Sequence, residues 1–364
     1  MKKLFALICL LSLGLPSGLR ATPSWQDKSS QIPETVLDTH INIPYISFVK
    51  SRGNDWLAGN PNQLFHVMPD RILDLTPDLQ SFGMSDIRQI ATDGSGWLII
   101  GDQKTWQTKP DIVMHYDGKY WNNVSQIIRT IPASEWIGEI AGKQGIWYIV
   151  TDKNLYAWHS ALSESAVISL PESFREPRTS AIGISPVANG WILNFEQKNG
   201  PKSIAMGRDI MDRRFFFFDG LNFQELTSLF GNISNHSTIG TNGSNILVLG
   251  AYIDTDKIIY NAYLSDGVNV TNVSGHIKDL IPDFIPVNSQ YFLNQAKITW
   301  SGNSWIFTNS TKKLAVWNQN QKPKLLPDSE TNILDVGYGK NGSVLMSGYK
   351  SKDKITPSLT FFQP

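Results

Sequence analysis

Apolar residues recur along the chain in short runs, each opened by a tight polar turn. The first residue of each run, most often Trp, is Trp56, Trp97, Trp147, Trp191, Ile246, Trp305 and Val344. Turns such as Asp93-Gly94-Ser95-Gly96, Asn242-Gly243-Ser244-Asn245 and Ser301-Gly302-Asn303-Ser304 stand immediately before them. Gly and Asn tolerate the positive φ that tight hairpins require, so each turn predicts a junction between a first and a second strand. The runs themselves, as in Leu98-Ile99-Ile100-Gly101 and Leu247-Val248-Leu249-Gly250, are apolar without alternation. That pattern suits strands buried on both faces.

A second mark repeats in another register. Asp117-Gly118, Asp219-Gly220 and Asp266-Gly267 are each followed, seven residues after the Asp, by an aliphatic residue: Val124, Leu226 and Val273. These predict the hairpin between a third and a fourth strand. The seven anchors are 41, 50, 44, 55, 59 and 39 residues apart, the length of a four-stranded propeller blade rather than of a helical hairpin or a solenoid coil. The pattern therefore predicts an all-β, seven-bladed β-propeller of four-stranded antiparallel sheets. The C-terminal repeat ends one strand short, with Ser358-Leu359-Thr360-Phe361-Phe362 as its last strand. Ile32-Pro33-Glu34-Thr35-Val36-Leu37-Asp38 resembles the outer-strand segment at Met68-Pro69-Asp70-Arg71-Ile72-Leu73-Asp74, so residues near 32–40 are expected to complete the seventh blade. Such closure removes two open sheet edges.

Helical periodicity appears nowhere over a useful length; the nearest case, Gln126-Ile127-Ile128-Arg129, is cut by Pro132. Residues 276–295, with Pro282 and Pro286, read as a long connection between blades five and six. Phe215-Phe216-Phe217-Phe218 runs straight into Asp219-Gly220 and reads as a buried third strand.

Composition adds a compartment. Met1-Lys2-Lys3 followed by the mostly apolar residues 4–15 reads as a signal peptide, with cleavage after Ala21. The expected organisation is a signal peptide at 1–21, a short tether at 22–31 and a single propeller domain at 32–364. Export to the periplasm, cell surface or medium follows, with no stable membrane span after cleavage of the leader. The mature chain carries 29 basic and 32 acidic groups, a net charge of −3, and nothing points to nucleic acid. Its only Cys, Cys9, lies in the leader, which leaves no thiol for a disulfide, a thiolate metal site or a nucleophile. No motif implies a cofactor or a metal, and a monomer is expected.

Several residues invite chemistry. His66, His115 and His159 fall at matching places in third strands, so the repeat spreads them around the ring and gives them structural roles. His236 and His276 are expected in exposed connections. Asp254-Thr255-Asp256 lacks the Gly and Glu of an EF-hand and reads as a solvated hairpin. Asn-x-Ser/Thr triplets, among them Asn123, Asn232, Asn242 and Asn272, coincide largely with turns. No Gly-x-Ser-x-Gly elbow, His-Glu-x-x-His or phosphate-cradling loop is present.

Charge gathers on one face. Loops from second to third strands share that face with the connections between blades, and they hold Lys104, Lys109, Lys153, Lys198, Lys202, Lys257, Lys312, Lys313, Lys350, Lys352 and Lys354, with Arg208 in the longest. Acidic residues such as Asp102, Asp152, Glu196 and Asp212 offset much of this charge. Exposed hairpin tips also take Lys for solubility and to block edge pairing. A ligand-binding rim would use Lys109, Lys198, Lys202, Arg208, Lys350, Lys352 and Lys354, with Trp106 and Trp136 as stacking surfaces. The partner would be a protein or an anionic glycan. Blade four supports a binding role, because it inserts about twenty residues, 196–215, at such a loop. The alternative is a secreted polysaccharide hydrolase or lyase using axial carboxylates.

Gly145-Ile146-Trp147-Tyr148-Ile149-Val150-Thr151 with Leu155-Tyr156, and Asn54-Asp55-Trp56-Leu57-Ala58-Gly59 with Leu64-Phe65, resemble the repeats of the sensor propellers of two-component regulators. The resemblance implies the seven-bladed architecture and no activity. Those sensors continue into a membrane helix and a signalling domain, whereas this sequence stops at Pro364.

Overall fold

The computed structural model describes residues 24–32, 45–103, 110–160, 164–174, 179–203, 208–231, 233, 236–254, 257–277, 280, 297–308, 314–319, 321–325, 332–339, 343–351 and 355–363. They form seven four-stranded antiparallel sheets. In the first six sheets the strands run from the axis outward in chain order. Blade one comprises Phe48–Arg52, Asp55–Asn60, Gln63–Val67 and Ile72–Asp74; blade two Asp86–Thr92, Trp97–Asp102, Ile112–Tyr116 and Trp121–Asn123. Blade three is Ile137–Lys143, Ile146–Thr151, Asn154–His159 and Glu164–Ser169; blade four Thr179–Val187, Gly190–Ser203, Arg208–Phe218 and Phe223–Glu225. Blade five is His236–Thr241, Ile246–Asp254, Lys257–Ser265 and Val270–Asn272; blade six Lys297–Trp300, Trp305–Thr308, Leu314–Trp317 and Lys324–Leu325. Blade seven takes Asn332–Tyr338, Val344–Ser351 and Ile355–Gln363 from the C-terminus and Ser24–Asp27 from the N-terminus.

Every anchor is the first or second residue of a second strand, and all seven are buried. The apolar runs pack between blades, so the core is divided into seven clusters, one at each interface. The Phe run of blade four is buried as expected and serves two of them: Phe216 and Phe218 face blade three, while Phe215 and Phe217 face blade five.

Closure occurs as expected in kind but not in place. Ser24–Asp27 pairs with the C-terminal strand in the register Ser24↔Gln363 to Asp27↔Thr360, so the expected tether contains the closing strand. Residues 33–44 lie outside the described residues. Ile32 still contributes to closure, through burial in the core between blades seven and one. After the strand, Lys28 N–H donates to Leu359 O at 2.9 Å, and Lys28 Nζ crosses to Pro69 O of blade one at 2.7 Å.

The Asp-Gly hairpins are self-supporting. In each, the Asp Oδ1 accepts the N–H groups of the residues two and three positions on, and the Gly takes a φ of 96°, 106° and 96° in turn. The aliphatic residue that follows returns to the third strand: Val124, Leu226 and Val273 donate their N–H to Val113, Phe215 and Ala262. The next residue is always Ser or Thr, and its hydroxyl accepts the third-strand N–H in return. Val113 N donates to Ser125 Oγ at 3.0 Å, Phe215 N to Thr227 Oγ1 at 3.1 Å and Ala262 N to Ser274 Oγ at 2.9 Å. Blade one repeats the arrangement with Leu75 and Thr76. In the triplets Asn123-Val124-Ser125 and Asn272-Val273-Ser274, the Asn Oδ1 accepts the Ser N–H at 3.0 and 2.9 Å, so both are structural turns.

Among the third-strand histidines, His66 lies between Tyr116 Oη at 3.2 Å and Asp55 Oδ2 at 3.3 Å, edge-on to Trp97. Burial lowers its pKa more than Asp55 raises it. His115 packs edge-on to Trp147 and Trp158 of the next blade. Both residues join blades.

Ser125→Ala leaves the Val113 N–H buried without its hydroxyl acceptor. The expected cost is about 1–3 kcal/mol, read as a lower urea midpoint at unchanged slope, with Ser125→Thr restoring most of it.

Candidate functional site

The inner strands surround a cavity of about 350 Å³ at the axis. Its wall comes from blades one, two, three, six and seven: Phe48 and Lys50; Ile87, Arg88, Gln89 and Ile90; Gly138, Glu139 and Ile140; Lys297; and Asp335. Inner strands begin at the face where the blades are joined, and four of them bulge close to that end. The register slips between Ile87 and Gln89, Ile137 and Ile140, Ala181 and Gly183, and Ile333 and Asp335. A bulge breaks the alternation of side chains, which is how adjacent residues such as Arg88 and Gln89 both reach the lining.

The polar wall also links the blades. Asp335 Oδ2 accepts the Val49 N–H at 2.9 Å and its Oδ1 accepts the Val336 N–H at 3.0 Å. Glu139 Oε2 accepts the Ile184 N–H of blade four at 2.9 Å, and Gln89 Nε2 donates to Gly138 O. A Cβ at Gly183 would stand 2.7 Å from Glu139 Oε2, so the bare backbone there makes the Glu139 contact possible. Burial raises the Glu139 pKa against the Ile184 hydrogen bond and the charges of Lys50, Lys297 and Arg213. Asp102, at the end of a second strand, is fully buried with Arg88 Nε at 2.5 Å from its Oδ2. The ion pair and the burial act in opposite directions on it. Burial prevails and lifts the pKa to about 6.

The rim residues fare unequally. Trp136 is 52% exposed, and its backbone N–H and C=O are both bonded to Asp152 in the turn between second and third strands. That contact confirms that interblade connections and second-to-third-strand turns share a face. The long segment of blade four is not a loop: its strands continue outward as a hairpin, with Lys198 opposite Met211, Lys202 opposite Asp209 and Arg208 opposite Ser203. The register slips between Lys198 and Lys202, so the shorter partner strand, Arg208 to Arg213, sets the reach, roughly 17 Å past the blade at about 3.3 Å per residue. Blade five carries a shorter one, in which Asp254 pairs with Lys257, as expected of a hairpin. His236 belongs to the inner strand of that blade, not to a connection.

Lys350 forms an ion pair with Asp27 of the closing strand at 2.7 Å. Burial opposes ionisation of Asp27, but the Lys350 and Ser29 hydrogen bonds outweigh it and lower the pKa. This places Lys350 in ring closure. Trp106, Lys109, Lys352 and Lys354 lie outside the described residues, as do 281–296 and the expected signal peptide at 1–21. Among the described residues, no helix is long and apolar enough to cross a membrane.

The axial set was not among the sequence candidates. Its one sequence signal is a polar residue six to nine positions before an anchor, as in Lys50, Glu139, Lys297 and Asp335, and the bulges obscure even that spacing.

No protein-family model and no curated protein matches the chain. Solved structures do. The Neurospora crassa Pan2 WD40 domain aligns with a TM-score of 0.52 at 9% identity, over 93% of this chain and 95% of that one. PorZ, described as a surface component of the type-IX secretion system of Porphyromonas gingivalis, aligns at 0.51 and 10% identity, over 92% of this chain but 39% of its own. Pyrococcus horikoshii acylaminoacyl peptidase gives 0.51 and 10%, over 86% of this chain and 52% of that chain. Identities this low establish the propeller fold and nothing about activity.

An acid with a higher pKa in the folded state makes folding most favourable below its unfolded value and less so as pH rises. Glu139→Gln keeps the acceptor for Ile184 N–H and removes the charge. It is expected to raise the melting temperature at pH 8 by a few degrees and to have little effect at pH 4, in paired thermal scans.

Proposed function

We propose that the chain is an exported, non-catalytic propeller that holds a macromolecular partner, a protein or an anionic glycan, on the face bearing the second-to-third-strand hairpins. The observation that carries this reading is the blade four hairpin, a paired β-arm projecting from a rigid ring, with Lys198, Lys202 and Arg208 in its strands. Binding functions concentrate on such extensions because the ring supplies the rigidity and the arm supplies the reach. Trp136, exposed on the same face, offers a flat surface for stacking. Export rests on the leader at residues 1–21, and PorZ offers a precedent for this fold at a bacterial surface.

The alternative reading, a polysaccharide hydrolase or lyase, would use the axial carboxylates. Asp335 Oδ2 and Glu139 Oε2 each accept a backbone N–H from the inner strand of a neighbouring blade, Val49 and Ile184, and Asp335 Oδ1 accepts that of Val336 in its own strand. This use of the carboxylates as struts favours binding over turnover.

Retention from envelope extracts on the immobilised protein tests the proposal. Lys198→Glu combined with Lys202→Glu should weaken retention at least about tenfold, roughly 1.4 kcal/mol, and flatten its dependence on salt. Unchanged retention would remove the hairpin from the interface. Release of glycan fragments would favour the enzyme.

A further inference from the structure

The axial cavity holds an imbalance that the blade-linking hydrogen bonds do not use up. Lys50 and Lys297 enter from blades one and six and both act through space on Glu139 of blade three. Among the described residues, neither ammonium forms an ion pair. The other cation of the wall, Arg88, is engaged by Asp102. Two lysines are thus available to an anion. The rest of the polar wall is rich in acceptors. Glu139 Oε1 and the Asp335 carboxylate face the same cavity, whereas Gln89 Oε1 is buried out of its reach. Phe48, Ile87, Ile90 and Ile140 supply apolar surface between these groups.

A ligand matching this wall must bring an anionic group for the lysines and several hydroxyl donors for the acceptors. A simple dicarboxylate has the charge without the donors, a phosphate ion brings only one or two hydroxyls near neutral pH, and a neutral sugar has the donors without the charge. We propose that the axial cavity is a binding site for an acidic monosaccharide of hexuronate size, its carboxylate lying between Lys50 and Lys297 and its hydroxyls directed at Glu139 and Asp335. The volume, about 350 Å³, falls at the small end of ligand cavities, which suits one sugar ring rather than a polymer. This site shares no residue with the blade four hairpin and stands or falls independently of it.

Calorimetric titration of the whole mature protein with sodium glucuronate, glucose and inorganic phosphate tests the assignment. Glucuronate should bind at least about tenfold more tightly than either comparison compound. Lys50→Ala and Lys297→Ala should each weaken it by about tenfold or more, while Lys198→Glu with Lys202→Glu leaves it unchanged. Lys50→Arg and Lys297→Arg, which keep the charge and the wall, should retain part of the affinity and guard against misfolding of the alanine variants. Glucose binding as well as glucuronate would remove the role of the lysines. Equal binding of phosphate would remove the sugar. Absence of glucuronate binding at millimolar concentrations, or alanine variants that bind like the wild type, would overturn the site altogether.

Discussion

A sheet that is apolar on both faces is buried only when a neighbour lies on each side. Seven such sheets in an open row would leave two apolar faces in water, and the ring is the arrangement in which none is left. The contact on which the others depend is therefore the one between blades seven and one. There Trp56 meets Phe361 edge-on at 5.5 Å, and Ile32, Ile46, Val49, Leu345 and Leu359 fill the surrounding core. Pairing of Ser24–Asp27 with the C-terminal strand covers the edge of that last sheet. Lys28 and Lys350, both near this seam, fasten it by a backbone acceptor on blade one and by Asp27.

The same logic explains which parts of the fold can be read from the residues alone. Trp97, Trp147 and Trp305 sit in strands buried on both faces, and such strands need an unbroken apolar run that a turn must interrupt. Asp117, Asp219 and Asp266 are visible because one carboxylate oxygen holds two backbone N–H groups, a job that few residues do. The closing strand is less legible. Four residues carry little periodicity, and the apolar character of Ile32 reflects burial in the core between blades seven and one rather than a place in a ladder. The Ser and Thr residues after Val124, Leu226 and Val273 are also part of the repeat, yet a hydroxyl at a turn does not announce which distant N–H it serves.

The axial residues are the hardest to see. Glu139 and Asp335 look like ordinary surface charges in weakly apolar strands, and only the bulges and the closed ring bring them to one cavity. Once there, they do two things: they join inner strands through backbone N–H groups, and they leave the axis polar in a molecule whose interfaces are otherwise greasy. Burying Glu139 and Asp102 costs stability, as their raised pKa values record. Glu139 recovers part of that cost through the Ile184 N–H and Asp102 through Arg88.

Hydrogen exchange at the C-terminal strand tests ring closure most directly. In the full chain, the amides of residues 360–363 that face the closing strand should be protected to nearly the level of Val344–Ser351, the strand on their other side. Removal of residues 22–28 should expose them, lower the melting temperature and promote self-association through the freed edge. Equal exchange with and without that segment, in a chain of unchanged stability, would contradict a ring held shut by its N-terminal strand.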